Sequence, residues 1–301
     1  MKYLKLIGYQ DLLMIAGVQI LIKYFLFIPF QIDYALNDLG TFLLILATLS
    51  IAAAGKIIIA LNNMEADRIN EKLLIGTFIS EKRAYNLFFG LTVLGVLIGF
   101  YLSNVIEHSA FSAIAILVSG LIYVYATYLK KILIISDVVI AVLSTLPIIV
   151  LAIYDLLPAI TPENKATQST IFSVLLDYAL WAFLLTWLRQ ILRGQLEMNG
   201  DHKVGNQTLS VTFGKTRTNK ILFFAGFLPL ICLIYYMAHY LFGNQLVIGY
   251  VLVLILGPLL FFTAKIISAK NQKTYLLLFR ILTFCMWFSL LSIGMFTYIL
   301  R

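Results

Sequence analysis

The chain has 301 residues, of which 61% are hydrophobic and 12% charged, and it carries a net charge of +8. Soluble domains average about a quarter charged residues, so this balance excludes an ordinary soluble fold. The basic excess points to an anionic leaflet or an anionic substrate rather than to nucleic acid.

Apolar runs of about twenty residues, the length that crosses a bilayer, recur along the whole chain. In lipid the backbone must satisfy its own hydrogen bonds, so these runs are expected to be helices. The expected class is an all-α integral membrane protein, one membrane domain over residues 1–301. The N-terminal stretch "MKYLKLIGYQDLLMIAGVQILIKYFLFIPF" leads into a first span at 12–30 and reads as retained rather than cleaved. The second span, 41–61, runs into "AAGKIIIALNNMEADRINEK", which turns from apolar to charged within a few residues. A polar loop is expected at 62–85. Spans at 86–103 and 110–128 follow, then a short turn at 129–132 with the basic pair Lys130 and Lys131. The fifth span is expected at 133–153. The segment 154–170, "YDLLPAITPENKATQST", is turn-rich and reads as a plain connector. A sixth span at 171–188 leads to a second polar loop, 189–220. Spans at 221–242, 247–268 and 275–299 complete nine helices. Cys232 and Cys285 both fall in apolar runs and are expected to be inert, buried thiols.

Charge sets the orientation. With the N-terminus inside, seventeen Lys and Arg fall on internal segments and only Lys165 and Arg301 on external ones. The N-terminus is therefore expected in the cytoplasm and the C-terminus outside, in what reads as a bacterial cytoplasmic membrane. Both longer polar loops, 62–85 and 189–220, then share the inner face. Inside the spans lie Lys23, Lys56, Asp177 and Arg280, each costing about 2.5–3.5 kcal/mol at mid-membrane. Lys56 and Arg280 are near inner ends, within snorkelling reach of the interface. Lys23 and Asp177 are nearer the outer halves, placed to pair or to reach outward.

In the first polar loop Asn63 and Asp67 are four residues apart and share a face if the second helix continues through them. In the second, Glu197 and Asp201 have the same spacing, with Arg189 and Arg193 preceding them in step. Oxygen pairs of this kind suit Mg²⁺, which takes one or two carboxylates plus substrate phosphates. The arginines suit phosphate oxygens. The plainer alternative is that these residues solvate helix ends at a membrane surface. Three scattered histidines form no metal pattern.

Several local stretches carry a resemblance. "AAG" at 53–55, "DRIN" at 67–70, "YLKK" at 128–131 and "GDHKVGNQTL" at 200–209 are similar to segments of the UbiA-type intramembrane prenyltransferase family, and nine helices with polar loops after the second and sixth is that family's plan. The resemblance implies nine helices around a central cavity that opens near the cytoplasmic face. It also implies Mg²⁺-dependent binding of an isoprenyl diphosphate and transfer of the prenyl group to an aromatic or lipid acceptor. The family's motifs are NDxxDxxxD in the first loop and DxxD followed by Asp in the second. Aligned on "AAG" and "DRIN", the first motif falls on Ile59, Ala60, Asn63 and Asp67; the second falls on Gly194, Glu197 and Asp201. Asp67 and Asp201 match, Glu197 is conservative, Asn63 is partial, and Ile59, Ala60 and Gly194 offer no ligand. A register starting at Asn62 leaves no carboxylate and breaks both flanking matches. The resemblance thus implies Asn63, Asp67, Glu197 and Asp201 as metal ligands. It leaves Lys56, Lys130, Arg189 and Arg193 as binders of a diphosphate or another anionic lipid, with or without a metal. Two functions follow: an atypical prenyltransferase, or a non-catalytic relative that binds an isoprenoid or scaffolds a partner enzyme. A transporter or channel rests only on the intramembrane charges.

Overall fold

The computed structural model describes residues 2–241 and 243–295. Among these, nine helices are long and apolar enough to cross a membrane: α1 Tyr9–Phe27, α2 Asp38–Asn62, α3 Glu81–Val105, α4 Ser109–Thr127, α5 Ile135–Ala159, α6 Lys165–Lys203, α7 Leu209–Leu241, α8 Gln245–Ile266 and α9 Gln272–Met295. The protein is an all-α integral membrane protein. The expected ends of the seventh helix at 242 and the ninth at 299, and the outer Arg301, lie outside the described residues.

Two of the expected boundaries change the picture. The sixth helix does not stop at 188. It continues to Lys203 as one 39-residue helix, so Arg189, Arg193, Glu197 and Asp201 are helical and the second loop shrinks to residues 204–208. The extension buries Leu188, Ile191, Leu192 and Gln195 at helical spacing, while Asn199, His202 and Lys203 do not join them. Its end is a Schellman motif. Gly205 takes the left-handed conformation (φ 76°), the Asn206 N–H donates to Asp201 O at 2.9 Å, and the Gly205 N–H donates to His202 O at 3.4 Å. The connector expected at 154–170 is likewise mostly helical. A π turn over Ala152–Leu156 and a 3₁₀ turn over Leu157–Ala159 carry α5 onward, and only 160–164 remain between α5 and α6.

The chain packs as two compact units, residues 1–130 with 145–179, and 131–144 with 180–301. In the first, small residues bring helices close. A Cβ added at Gly95 of α3 would stand 2.6 Å from Ile51 Cγ1 and 3.0 Å from Ala47 O of α2, and one at Gly99 would stand 2.9 Å from Ala115 Cβ of α4. α1 is fixed by polar groups along one stripe. Asp11 pairs with Lys56. Gln19 donates to Pro147 O at 3.0 Å and accepts from Thr48 at 2.9 Å. Lys23 pairs with Asp155 at 2.7 Å, both side chains 0% exposed. Lys23 also donates to Leu36 O at 2.8 Å and lies over the Tyr34 ring, while Asp155 accepts from Leu36 N at 2.9 Å. Lys23 therefore neither reaches outward nor pairs with Asp177, which is exposed. Its partner is an acid from the segment expected to be a connector.

In the second unit, Leu185, Leu188, Ile191 and Leu192 of α6 pack with Leu222 of α7, Phe262 of α8 and Leu278 and Leu282 of α9. Cys285 is buried in this core, as expected, but Cys232 is exposed on α7. Gly214 (φ 77°) breaks α7 a turn and a half after its start, a conformation that glycine takes at little cost.

Candidate functional site

The first-loop residues lie in the first unit. α2 ends at Asn62, and Asn63 (φ −108°, ψ 5°) is the junction to a short helix, Met64–Ile69. The second helix therefore does not continue through Asn63 and Asp67. The two stay one turn apart because the Asp67 N–H donates to Asn63 O at 2.8 Å. The rest of the loop folds back: Ile75 and Ile79 bridge and bury themselves beside Ile57, Ile58, Leu61 and Phe88. Ile59 and Ala60 pack against this same cluster. The two first-loop positions that lack ligands are thus half-buried against an apolar core. Lys56 faces Asp11, so its charge is offset by a carboxylate on α1. Lys130 lies half-buried in the turn Leu129–Lys131.

The second set lies in the second unit, on one straight run of α6. Residues 189, 193, 197 and 201 recur at four-residue spacing, so each successive pair lies on one side of the helix, with a drift of about 40° per step. Arg189 is 8% exposed. Its guanidinium lies 5.6 Å from the Phe279 ring centroid, and that of Arg193 lies 5.7 Å from the same ring, within cation–π range. Glu197 is half-buried and Asp201 is 4% exposed, with Asp201 Oδ1 accepting from Asn206 Nδ2 at 2.8 Å. The base of this run is braced by amides. Gln195 donates to Lys215 O at 3.1 Å and to Asn219 Oδ1 at 3.0 Å, and Asn219 donates to Ala269 O at 2.8 Å. The Tyr275 hydroxyl donates to Ala269 O at 3.0 Å. Gly194 leaves room for a side chain: an added Cβ would meet Ser210 Oγ at 3.5 Å and Thr208 Cβ at 3.7 Å, both ordinary contacts.

One acid of this unit escapes a reading of the sequence. Asp137, in the first turn of α5, is 6% exposed and lies within Coulombic reach of Asp201. An acid at a helix start ordinarily reads as solvated and dipole-stabilised, and only the fold reveals its burial.

Among the described residues no three His, Cys, Asp or Glu side chains form a ready-made metal cage. Mg²⁺ is commonly held by one or two carboxylates, with substrate phosphates and water completing its shell. Glu197 and Asp201, one turn apart on α6, are a carboxylate pair of the kind such an ion takes, while Gly194 supplies no side-chain oxygen.

No curated protein sequence matches the chain. A solved digeranylgeranylglyceryl phosphate synthase is similar at TM-score 0.65 and 18% identity, over 98% of this chain and 97% of that one. A UbiA homolog from Archaeoglobus fulgidus bound to DMAPP and Mg²⁺ is similar at TM-score 0.62 and 17% identity, over 98% and 99%. The same homolog bound to GPP and Mg²⁺ gives TM-score 0.62 and 18% identity over the same shares. At these identities the likeness establishes the fold. The sequence model of the UbiA prenyltransferase family matches residues 28–291, most of the chain, and by that match the protein belongs to the UbiA prenyltransferase family.

Proposed function

We propose that the protein binds an isoprenyl diphosphate in the membrane and transfers its prenyl group to a lipid or aromatic acceptor, using a reduced cation site. The observation that carries this reading is the helical run of α6, where two arginines held on one phenylalanine precede two acids at a single spacing. Arg189 and Arg193 bind the phosphate oxygens, as a planar guanidinium does well. In the second unit Glu197 and Asp201 hold one Mg²⁺; in the first, Asn63 and Asp67 are the corresponding ligands and Lys130 adds positive charge. Mg²⁺, when bound, neutralises charge on a departing diphosphate. The side chains orient the donor, and the arginines stabilise the charge that builds as the carbon–oxygen bond breaks. The N-terminus is taken to face the cytoplasm of a bacterial cell.

The test is binding of geranylgeranyl diphosphate to purified protein, with Mg²⁺ and with a chelator, together with pyrophosphate release in the presence of acceptor lipids. Mg²⁺-dependent binding, lost in a variant lacking Arg193 and Lys130, supports the reading. Equal binding by that variant and the natural protein refutes it.

The packing of Ile59 and Ala60 into an apolar cluster favours a second reading, a non-catalytic relative that binds an isoprenoid or another anionic lipid. Under that reading the donor binds but pyrophosphate is not released. Activity is then expected only after acids are restored, beginning with Gly194→Asp, where an added Cβ makes only ordinary contacts with Ser210 and Thr208.

A further inference from the structure

Among the described residues of the second unit, every exposed charge is positive. Lys215, Arg217, Lys220, Lys265, Lys270 and Lys273 are exposed, whereas the acids of this unit, Asp137, Glu197 and Asp201, are buried or half-buried. The first unit differs: there Arg68, Lys72, Lys82 and Arg83 stand among exposed Glu65, Glu71 and Glu81. Membrane orientation calls for cations and is largely indifferent to acids. It does not explain why one unit mixes its exposed charges and the other does not.

The cations are also gathered. Asn219, beside Lys220 on α7, donates to Ala269 O at 2.8 Å, and Ala269 precedes Lys270. The hydroxyl of Tyr275, two residues beyond Lys273, donates to the same carbonyl at 3.0 Å. The Lys215 ammonium lies 5.9 Å from the Tyr275 ring centroid. Asn219, Ala269 and Tyr275 are buried, so a fixed polar hub joins α7, α9 and the turn between α8 and α9 beneath like charges. Among the described residues no carboxylate pairs with Lys220, Lys265, Lys270 or Lys273. Three spans then repeat one pattern. Lys220 of α7, Lys265 of α8 and Lys273 of α9 stand at the edge of an apolar run. One turn further into each run, on the same side of the helix, is an exposed apolar side chain: Phe224, Phe261 and Leu277. A cation with bare apolar surface beside it matches an amphiphile with an anionic head. A water-facing acidic protein has no use for the apolar part.

We propose that this end of α7, α8 and α9 is a surface for anionic membrane lipids. Lys220, Lys265, Lys270 and Lys273 hold the phosphate-bearing headgroups, and Phe224, Phe261 and Leu277 lie against the acyl chains. The surface is separate from the arginines and acids of α6.

The experiment uses the full chain in detergent, offered phosphatidylglycerol and phosphatidylcholine in equal amounts, with native mass spectrometry counting the lipids retained. The natural protein is expected to prefer phosphatidylglycerol, and less so as salt rises. Lys270→Gln with Lys273→Gln is expected to cut the preference by about fivefold for each lysine removed, the scale of one cation's attraction to an anionic surface. Lys270→Arg with Lys273→Arg is expected to keep it. Lys82→Gln with Arg83→Gln, which removes the same charge from the first unit, is expected to leave it unchanged. Equal retention of the two lipids by the natural protein overturns the proposal and makes an acidic soluble partner the occupant to seek. A preference indifferent to salt overturns it too. So does one unchanged in the glutamine variant at positions 270 and 273; if Arg193→Gln abolishes it instead, the lipid sits at the α6 arginines. Displacement of phosphatidylglycerol by an equal concentration of inorganic phosphate also overturns it, since the surface then holds the free anion. None of these outcomes depends on prenyl-donor binding or pyrophosphate release.

Discussion

Removing one member of the Lys23–Asp155 pair should be among the most damaging single changes in the first unit. Both side chains are fully enclosed, the ions meet at 2.7 Å, and Leu36 contributes both a carbonyl and an N–H. Asp155→Ala leaves an ammonium in the interior with a single carbonyl and the Tyr34 ring. Breaking one side of such a pair costs about 3–5 kcal/mol, whereas replacing both sides with apolar groups is often neutral or better. Asp155→Ala and Lys23→Met are each expected to fall in that range. The double variant Lys23→Met with Asp155→Leu is expected to regain most of the loss. The internal control is Lys56 with Asp11, a partly exposed pair in the same unit, for which about 0–1 kcal/mol is expected. The assay is a double-mutant cycle on detergent-solubilised protein, by thermal unfolding and by denaturing-detergent titration. Single variants no worse than Asp11→Ala, or a double variant as damaged as the sum of the singles, would refute the argument that the loss comes from an orphaned charge.

Gly95→Ala should destabilise the protein by about 1–3 kcal/mol, the cost of overpacking a tight contact, because its Cβ would meet Ile51 and the Ala47 carbonyl, whereas Gly120→Ala, with nothing within 4 Å, should be near neutral; thermal unfolding separates them. Asn219→Leu removes the hub that joins Gln195, Ala269 and Tyr275 and should cost about 1–3 kcal/mol for the groups left unpaired, read as a lowered unfolding temperature. Phe279→Leu removes the ring beneath Arg189 and Arg193 and should weaken geranylgeranyl diphosphate binding while leaving the fold intact by circular dichroism.

The number and order of the helices were legible in the sequence because hydropathy reports membrane length directly. The continuation of α6 to Lys203 was not, because its residues are too polar for a hydropathy window. The signal was present in another form: Leu188, Ile191, Leu192 and Gln195 recur at three and four residues and are all buried. The α5 extension was hidden by Pro158 and the turn-formers after it. Once Asp155 was read as a connector residue, its match with Lys23 could not be found. The motif residues were located by resemblance, but the fate of Ile59 and Ala60 was not, since their neighbours Ile75 and Ile79 return from beyond the polar stretch. Asp137 had no local mark at all. Its burial is a tertiary fact.

That α6 is a helix and not a loop through residue 201 constrains how its sequence can change. Leu188, Ile191 and Leu192 are locked into a core, and each residue along a helix advances the direction of a side chain by about 100°. A single insertion or deletion between Arg193 and Glu197 would swing Glu197 and Asp201 away from the side shared by Arg189 and Arg193, with every side chain still present. A loop absorbs a length change of that kind, but this segment cannot. It is expected to tolerate many substitutions and almost no change in length.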